Sequence, residues 1–205
     1  MGYAIVTGKT LNSKVFTKIL ISLAFSPKLA FFGGFLLYKV IERLKISKIR
    51  GAMNREILES RFAVPDILAL VLLSLAVGGN CIGTVMGVLG GSYSYGLLEI
   101  LGTLGMVFGI LTWSHKIIGT VIENITDLGP IRAFSANISS GIVILALSLL
   151  GIPVPITQTL ISSVIGVGIA REDVRIVGVR ELLSAWLITL PASFVLAGIL
   201  SYVLV

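Results

Sequence analysis

Charge is what this sequence has least of. Only 13% of its 205 residues are Asp, Glu, Lys or Arg, while 56% are hydrophobic, and a soluble domain carries about 25% charged residues. With a mean hydropathy of +1.03, the chain has too few charges to cover a water-exposed surface, so it reads as an integral membrane protein. Cysteine is nearly absent: Cys81 stands alone, which excludes an internal disulfide. Histidine is equally scarce. His115 adjoins Lys116 and has no partner at metal-ligand spacing, and no metal cluster, nucleotide loop or nucleophile–base pair is found, which argues against an enzyme. Sixteen basic against ten acidic residues give a net charge of +6. In a membrane protein such an excess fixes loop orientation and does not call for nucleic acid. No cleavable signal is expected, because Met1–Ser13 is polar and no small-residue cleavage site follows a short apolar core.

Long uncharged runs fill the rest. Ile67–Leu98, Ile100–Ser114, Ala133–Ala170 and Leu182–Val205 carry no charge, and each is long enough, or nearly so, to cross about 30 Å of hydrocarbon at 1.5 Å per residue. An earlier stretch, Ile19–Ile41, is apolar apart from Lys28 and Lys39. Its crossing helix is expected to begin near Leu29, with Pro27 in the first turn, and the N-terminal 28 residues are then read as possibly re-entrant because Lys9, Lys14 and Lys18 would otherwise lie outside. The segment Lys39–Arg61 holds seven basic residues against three acidic ones and reads as a cytoplasmic loop. The remaining path runs outward over Pro65–Gly90, turns at Gly91–Tyr95 and returns to His115-Lys116. It continues as an interfacial helix over Ile117–Pro130, leaves again over Phe134–Leu150, returns to Arg171, and ends outward through Leu182–Val205. This places Arg50 and Arg175 on the cytoplasmic side and Ser92 and Val205 outside. The segment Ser26–Tyr38 also echoes Leu190–Tyr202 at one constant offset, matching Pro, Gly, Leu and Tyr, the mark of an inverted repeat if the two cross in opposite directions.

Two polar interruptions stand out inside the apolar runs. The first is Gly78-Gly79-Asn80-Cys81-Ile82-Gly83-Thr84, expected to break the helix and expose a half-helix N-terminus near Cys81. The second is Gly151-Ile152-Pro153-Val154-Pro155, expected to start a new half-helix with Thr157, Gln158, Thr159, Ser162 and Ser163 in its first turns. Broken backbone at membrane depth is tolerated only inside protein or against a water-filled cavity, and half-helix N-termini favour anions. Hydroxyl and amide groups there can hold an oxyanion, or Na⁺ through their oxygens. Gly166-Val167-Gly168 supplies a small-residue packing face. Ser148 serves as a reference position away from either break. Glu123, Asp127 and Arg132 read as a solvated turn.

At these residues the chain resembles the PiT family of inorganic phosphate transporters. Ile152–Leu160, running on to Gly166-Val167-Gly168-Ile169-Ala170, is similar to that family's Gly-Leu-Pro-Val-Ser-Thr-Thr-His-Ala-Leu block and its Gly-Val-Gly-Leu-Ala tail. Gly78–Gly87 stands where the family carries Gly-Ala-Asn-Asp-Val-Ala-Asn-Ala-Ile-Gly. The resemblance covers about residues 19–205, the end of one repeat and all of the second. It implies an all-α, polytopic protein of the cell membrane with five to seven transmembrane or re-entrant segments and broken helices. The first 62 residues would form a helix and basic loop, and residues 63–205 the transmembrane repeat. It further implies ion-coupled transport of inorganic phosphate or a similar oxyanion, with Asn80, Thr84, Thr157, Gln158 and Thr159 as the contacts. The coupling ion would be Na⁺ or H⁺, no cofactor is expected, and the partners would be lipid and a second transporter half or another copy of the chain. The departures are Cys81 for the family aspartate, Thr84 for its second asparagine, Pro155-Ile156-Thr157-Gln158 for its Ser-Thr-Thr-His, and Asn137 for a glutamate or glutamine. The alternatives are a non-transporting or degenerate subunit, or a permease for another oxyanion such as sulfate.

Overall fold

The structure, a computed structural model, describes residues 13–46, 52–89 and 95–204. Every regular element among these is a helix. They are α1 (Ser13–Ile41), extended by a π-helical turn over Glu42–Ile46, α2 (Ala52–Arg61), α3 (Ala63–Leu89), α4 (Tyr95–Asn124), α5 (Pro130–Leu149), α6 (Ile156–Arg171) and α7 (Ile176–Leu204). Among the described residues four stretches are long and apolar enough to cross a membrane: Thr17–Leu44, Glu56–Gly83, Pro130–Leu149 and Ile176–Ser193. Glu99–Thr112 and Ile156–Arg171 are shorter apolar helices. Arg50, Ser92 and Val205 lie outside the described residues.

Helix α5 is the centre of the packed part, with α3 on one side and α1 and α6 on the other. Helices α3 and α5 run in the same direction, as their register shows: Asp66 meets Asn137, Leu73 meets Gly141, and Asn80 meets Ser148. Asp66, Leu73 and Asn80 are seven residues apart, which returns to one face of a helix after two turns. A side chain at Gly141 would begin 3.4 Å from the Leu73 backbone, so the two helices close directly over it. Helices α1 and α6 also share a direction and touch through glycine. A Cβ at Gly34 would stand 2.7 Å from the Ser163 carbonyl oxygen, and one at Gly166 would overlap the Phe31 carbonyl oxygen. The packing face expected of Gly166-Val167-Gly168 is therefore present. In lipid the hydrophobic effect does not drive helices together, so such close approach and interhelical hydrogen bonds carry the association.

Hydroxyl groups supply many of those bonds. Ser163 Oγ donates to the Ala136 carbonyl at 3.0 Å and Ser139 Oγ to the Ala30 carbonyl at 3.0 Å. Helix α6 is buried on every side, Ile161 through Gly168 without a gap, which explains why its sequence shows no polar stripe. By contrast α4 and α7 present exposed apolar side chains along their length, such as Leu104, Phe108, Leu111, Leu187, Ile188 and Val195.

Glu59 of α2 and two loops gather at one end of the bundle. Arg175 N–H donates to the Ile125 carbonyl at 2.9 Å, and its guanidinium lies 3.5 Å from Asp127. Asp173 lies 3.5 Å from Arg171 and 3.7 Å from Arg132, whose side chain is only 12% exposed. Gly129, at the start of α5, lies against the Glu59 carboxylate and the Arg132 guanidinium. Asp127 and Arg132 thus belong to an ionic clasp between the α4–α5 and α6–α7 connections, not to a plain solvated turn. The Glu123 side chain is outside those described. Helix α6 ends here in a Schellman arrangement, with Asp173 N–H on the Gly168 carbonyl and Glu172 N–H on the Ile169 carbonyl. Glu172 holds φ at 63°, a left-handed conformation that costs a residue with a Cβ about 1–2 kcal/mol. Glu172→Gly should raise stability by up to about 1 kcal/mol once the greater freedom of unfolded glycine is offset. A lower thermal midpoint in detergent would contradict this conformation.

Three expectations are corrected. Helix α1 does not start at Pro27 or turn back near it; it runs unbroken from Ser13 with Pro27 inside. Proline removes one N–H, but the other backbone groups have no water to turn to in hydrocarbon, so the helix persists. Helix α3 likewise runs straight through Gly78, Gly79 and Gly83, because glycine in a helix costs only about 1 kcal/mol and nothing else there competes for the backbone. No half-helix N-terminus exists near Cys81. Finally, Ile117–Asn124 is not a separate interfacial helix but the last turns of α4.

Candidate functional site

Between α5 and α6 the backbone leaves regular structure over residues 150–155. Helix α5 closes with a Schellman motif: Gly151 holds φ at 64°, its N–H donates to Ser148, and Ile152 N–H donates to the Leu147 carbonyl. Pro153 and Pro155 then keep the chain extended, and α6 opens with Pro155 as its N-cap and no side chain bonded there.

The depth of that opening follows from register. Ser163 bonds the Ala136 carbonyl, so these residues are level. Counting away from the end of the bundle that holds Arg171 at 1.5 Å per residue, α6 starts about 10 Å above this level and α5 ends about 20 Å above it. The N-terminus of α6 therefore lies about one and a half to two turns below the end of α5. Packing agrees, since Val154 is buried with Leu73, Ala76 and Ile144, residues well inside α3 and α5. Ile156, Thr157 and Gln158 open the first turn of α6, where backbone N–H groups have no intrahelical acceptor, and the helix dipole adds partial positive charge.

The five residues singled out from sequence do not form one cluster. Asn80 is 9% exposed and donates from Nδ2 to Ser148 Oγ at 2.8 Å. It sits on the α3–α5 seam, level with the C-terminal end of α5 and so above the start of α6. Thr157 is exposed and Gln158 half-buried at that start. Thr159 is fully buried and turned to α1, its hydroxyl 3.1 Å from Ser26 Oγ and 2.9 Å from the Pro155 carbonyl oxygen. Successive helical residues diverge by about 100°, so Thr157, Gln158 and Thr159 cannot all face one cavity. Thr84 lies in α3, and its side chain is outside those described.

Two residues that sequence reasoning passed over take part. Ser148 is not remote from the breaks; it anchors Asn80. Ser26 anchors Thr159. Neither is signalled by any local pattern, because each bond joins helices far apart in sequence. Among the described residues no three His, Cys, Asp or Glu side chains converge as a metal site would require. What the arrangement offers is neutral: backbone N–H groups, a hydroxyl and an amide at a helix start, with a second amide above. Such a set suits a small oxyanion.

Comparison with known proteins follows the same line. The profile of the phosphate transporter family matches residues 1–197. The chain is 34% identical over 72% of its length to the chloroplast inorganic phosphate transporter 2-1 of Arabidopsis thaliana, covering 28% of that protein. It is 31% identical over 71% of its length to a candidate phosphate permease of Haemophilus influenzae and 34% identical over 69% to one of Chlamydia muridarum, covering 39% and 36% of them. It thus spans well under half the length of these three relatives. No solved structure matches the chain. With a profile match over nearly its whole length, the chain belongs to the phosphate transporter family.

Proposed function

We propose that the chain is one half of a permease for inorganic phosphate, embedded in the cell membrane, that completes its site with a second half. The observation that carries this reading is the start of α6 below the end of α5, a helix long and apolar enough to cross a membrane, with Thr157 exposed and Gln158 half-buried beside uncapped backbone donors. Hydrogen bonds to a charged ligand are worth about 1.5–3 kcal/mol each, so a few oriented neutral donors can hold a phosphate that has lost its water. Asn80, tied by Ser148 on the seam above, is placed to meet the solute on its way in.

The need for a second half rests on what this half leaves open. A methyl at Gly78, Gly79 or Gly83 would meet no atom within 4 Å. Gly79 and Gly83 have the small-xxx-small spacing that lets another helix approach closely, yet no described helix uses it. A half site at a repeat interface cannot enclose a solute. Proteoliposomes containing the purified chain alone should therefore show no uptake of labelled phosphate, and co-reconstitution with a complementary half from a relative should restore it. Robust uptake by the chain alone would overturn the half-permease reading. Uptake of sulfate in preference to phosphate by the assembled pair would keep the permease and replace its substrate.

A further inference from the structure

Helix α1 carries a charged residue where a membrane tolerates it least. The Ala30 carbonyl accepts from Ser139, which stands at the middle of α5, and the 20 residues of α5 just span the hydrocarbon core at about 1.5 Å each. Lys28 is two residues from Ala30, so its Cα lies within about 3 Å of the middle of that crossing and more than about 10 Å from either end. At this depth its stem is too short to carry the charge to an interface. Lys28 is exposed, and among the described residues it has no hydrogen bond or ion pair. Lys39, near the end of the same helix, is by contrast 2.9 Å from Glu42. A lone lysine in hydrocarbon is so costly that intramembrane lysines face a bundle interior and pair there.

The bundle interior of this chain is not where Lys28 points. Successive helical residues turn by about 100°, which puts Lys28 about 200° from both Ser26 and Ala30. Those two face α6 and α5, Ser26 through Thr159 and Ala30 through Ser139. Lys28 is therefore on the opposite side of α1, directed out of the packed part. Around it on that side are Ile21, Phe25, Phe32 and Leu36, between 49% and 59% exposed. None of these can donate a hydrogen bond. A phosphate stripped of water needs several donors at once, so this face is not made for the solute. One carboxylate on an otherwise apolar helix matches both the single charge and its apolar surround.

We propose that the Ile21–Leu36 face of α1 seats a transmembrane helix of the second transporter half, and that this helix carries an aspartate or glutamate at mid-membrane that pairs with Lys28. The inference rests on the half-permease reading and adds what the second half must present. Lipid gives two apolar helices little reason to associate, whereas a charge left unpaired in hydrocarbon gives each half a strong one. Removing one member of such a pair is far more damaging than removing both, so Lys28 selects its partner as well as holding it. A second copy of the chain does not meet the requirement. Its own aspartate at similar depth, Asp66, is bonded to Asn137 on the α3–α5 seam, across α5 from α1. A closed two-fold pair would need both charges on one shared patch.

The first test uses the purified chain in lipid vesicles and a probe, an apolar transmembrane peptide with one aspartate at its centre, against the same peptide with leucine there. Energy transfer from labelled chain to labelled peptide should show the aspartate peptide binding at least roughly tenfold more tightly. Lys28→Met should erase that preference, and Lys39→Met, which removes a lysine already paired with Glu42, should keep it. Equal binding of the two peptides to the parent chain, or an undiminished preference in Lys28→Met, would overturn the proposal. The second test uses the assembled pair and a membrane-permeant carbodiimide, which converts an adjacent lysine and carboxylate into an amide. Peptide mass analysis should find Lys28 joined to an aspartate or glutamate of the second half; a link from Lys28 to another copy of this chain would overturn the choice of partner. Neither test reads transport, so phosphate uptake by the chain alone, which would sink the half-permease reading, is a separate result.

Discussion

Leucine at position 166 should separate α1 from α6 and cost the chain most of its stability. A Cβ there overlaps the Phe31 carbonyl oxygen and comes within 3.0 Å of the Phe31 carbonyl carbon and 3.2 Å of its Cα. Those atoms are backbone, so no rotamer change relieves the clash; one helix must move. Even alanine should cost about 1–3 kcal/mol as an overpacked side chain. Leucine forces a displacement that also strips Ser26 from Thr159 and Gly34 from Ser163, contacts on the same interface. A loss of more than about 3 kcal/mol is a large share of the 5–15 kcal/mol that holds a domain together. The measurement is the thermal midpoint of the purified protein in detergent. Gly198→Leu is the control, since a side chain there meets no atom within 4 Å. Equal midpoints for Gly166→Leu and Gly198→Leu would mean that α1 does not lie on α6.

That interface also marks the boundary of what the sequence discloses. Uncharged length gave the apolar crossings, because lipid imposes a simple rule on composition. The proline pair gave the start of α6, since two residues without N–H groups so close together cannot sit inside a helix. The absence of charge on any face of Ile161–Gly168 is what a stretch of helix buried all round must show. Glycine and a lone proline misled for one shared reason. Propensities of about 1 kcal/mol for glycine and about 3 for proline describe helices in water, where an unfolded turn can hydrogen-bond to solvent. In hydrocarbon that alternative is lost, and Pro27 and Gly78-Gly79 are carried through.

Partners were the least legible part. Asn80 with Ser148, Thr159 with Ser26 and Asn137 with Asp66 each join residues on different helices. Hydrophobic periodicity says which face of a helix is inward, not which residue it meets, and in α6 it does not even say that. The five polar positions drew attention as a group through their types, but helical geometry distributes them over two interfaces and one open end.

Ser148→Ala should therefore damage the chain about as much as Asn80→Ala, and the two changes together should be little worse than either alone. The Asn80 amide donates to Ser148 Oγ at 2.8 Å on a seam where Asn80 is 9% exposed. Removing the acceptor leaves part of a buried amide without a strong partner, a cost of about 1–3 kcal/mol. Removing both partners takes away the donor and the acceptor of this bond together, so the double-mutant cycle should return a coupling of about 1–2 kcal/mol in stability. In the proposed permease the same pair acts in series, with Ser148 setting the direction of an amide that meets the solute. In the assembled transporter, Asn80→Ala should weaken phosphate binding roughly ten- to a hundredfold at about 1.4 kcal/mol per tenfold. Ser148→Ala should weaken it roughly tenfold, because the amide remains but loses the oxygen that sets its direction. Thr157→Ala, at the start of α6, should weaken binding to a similar degree without moving the thermal midpoint, since Thr157 is exposed and supports no packing. Calorimetric titration of phosphate alongside thermal denaturation separates the two effects. Unchanged affinity in all three variants would make the break between α5 and α6 architectural, whereas a loss confined to Thr157→Ala would place the solute at the helix start and leave Asn80 as interhelical glue.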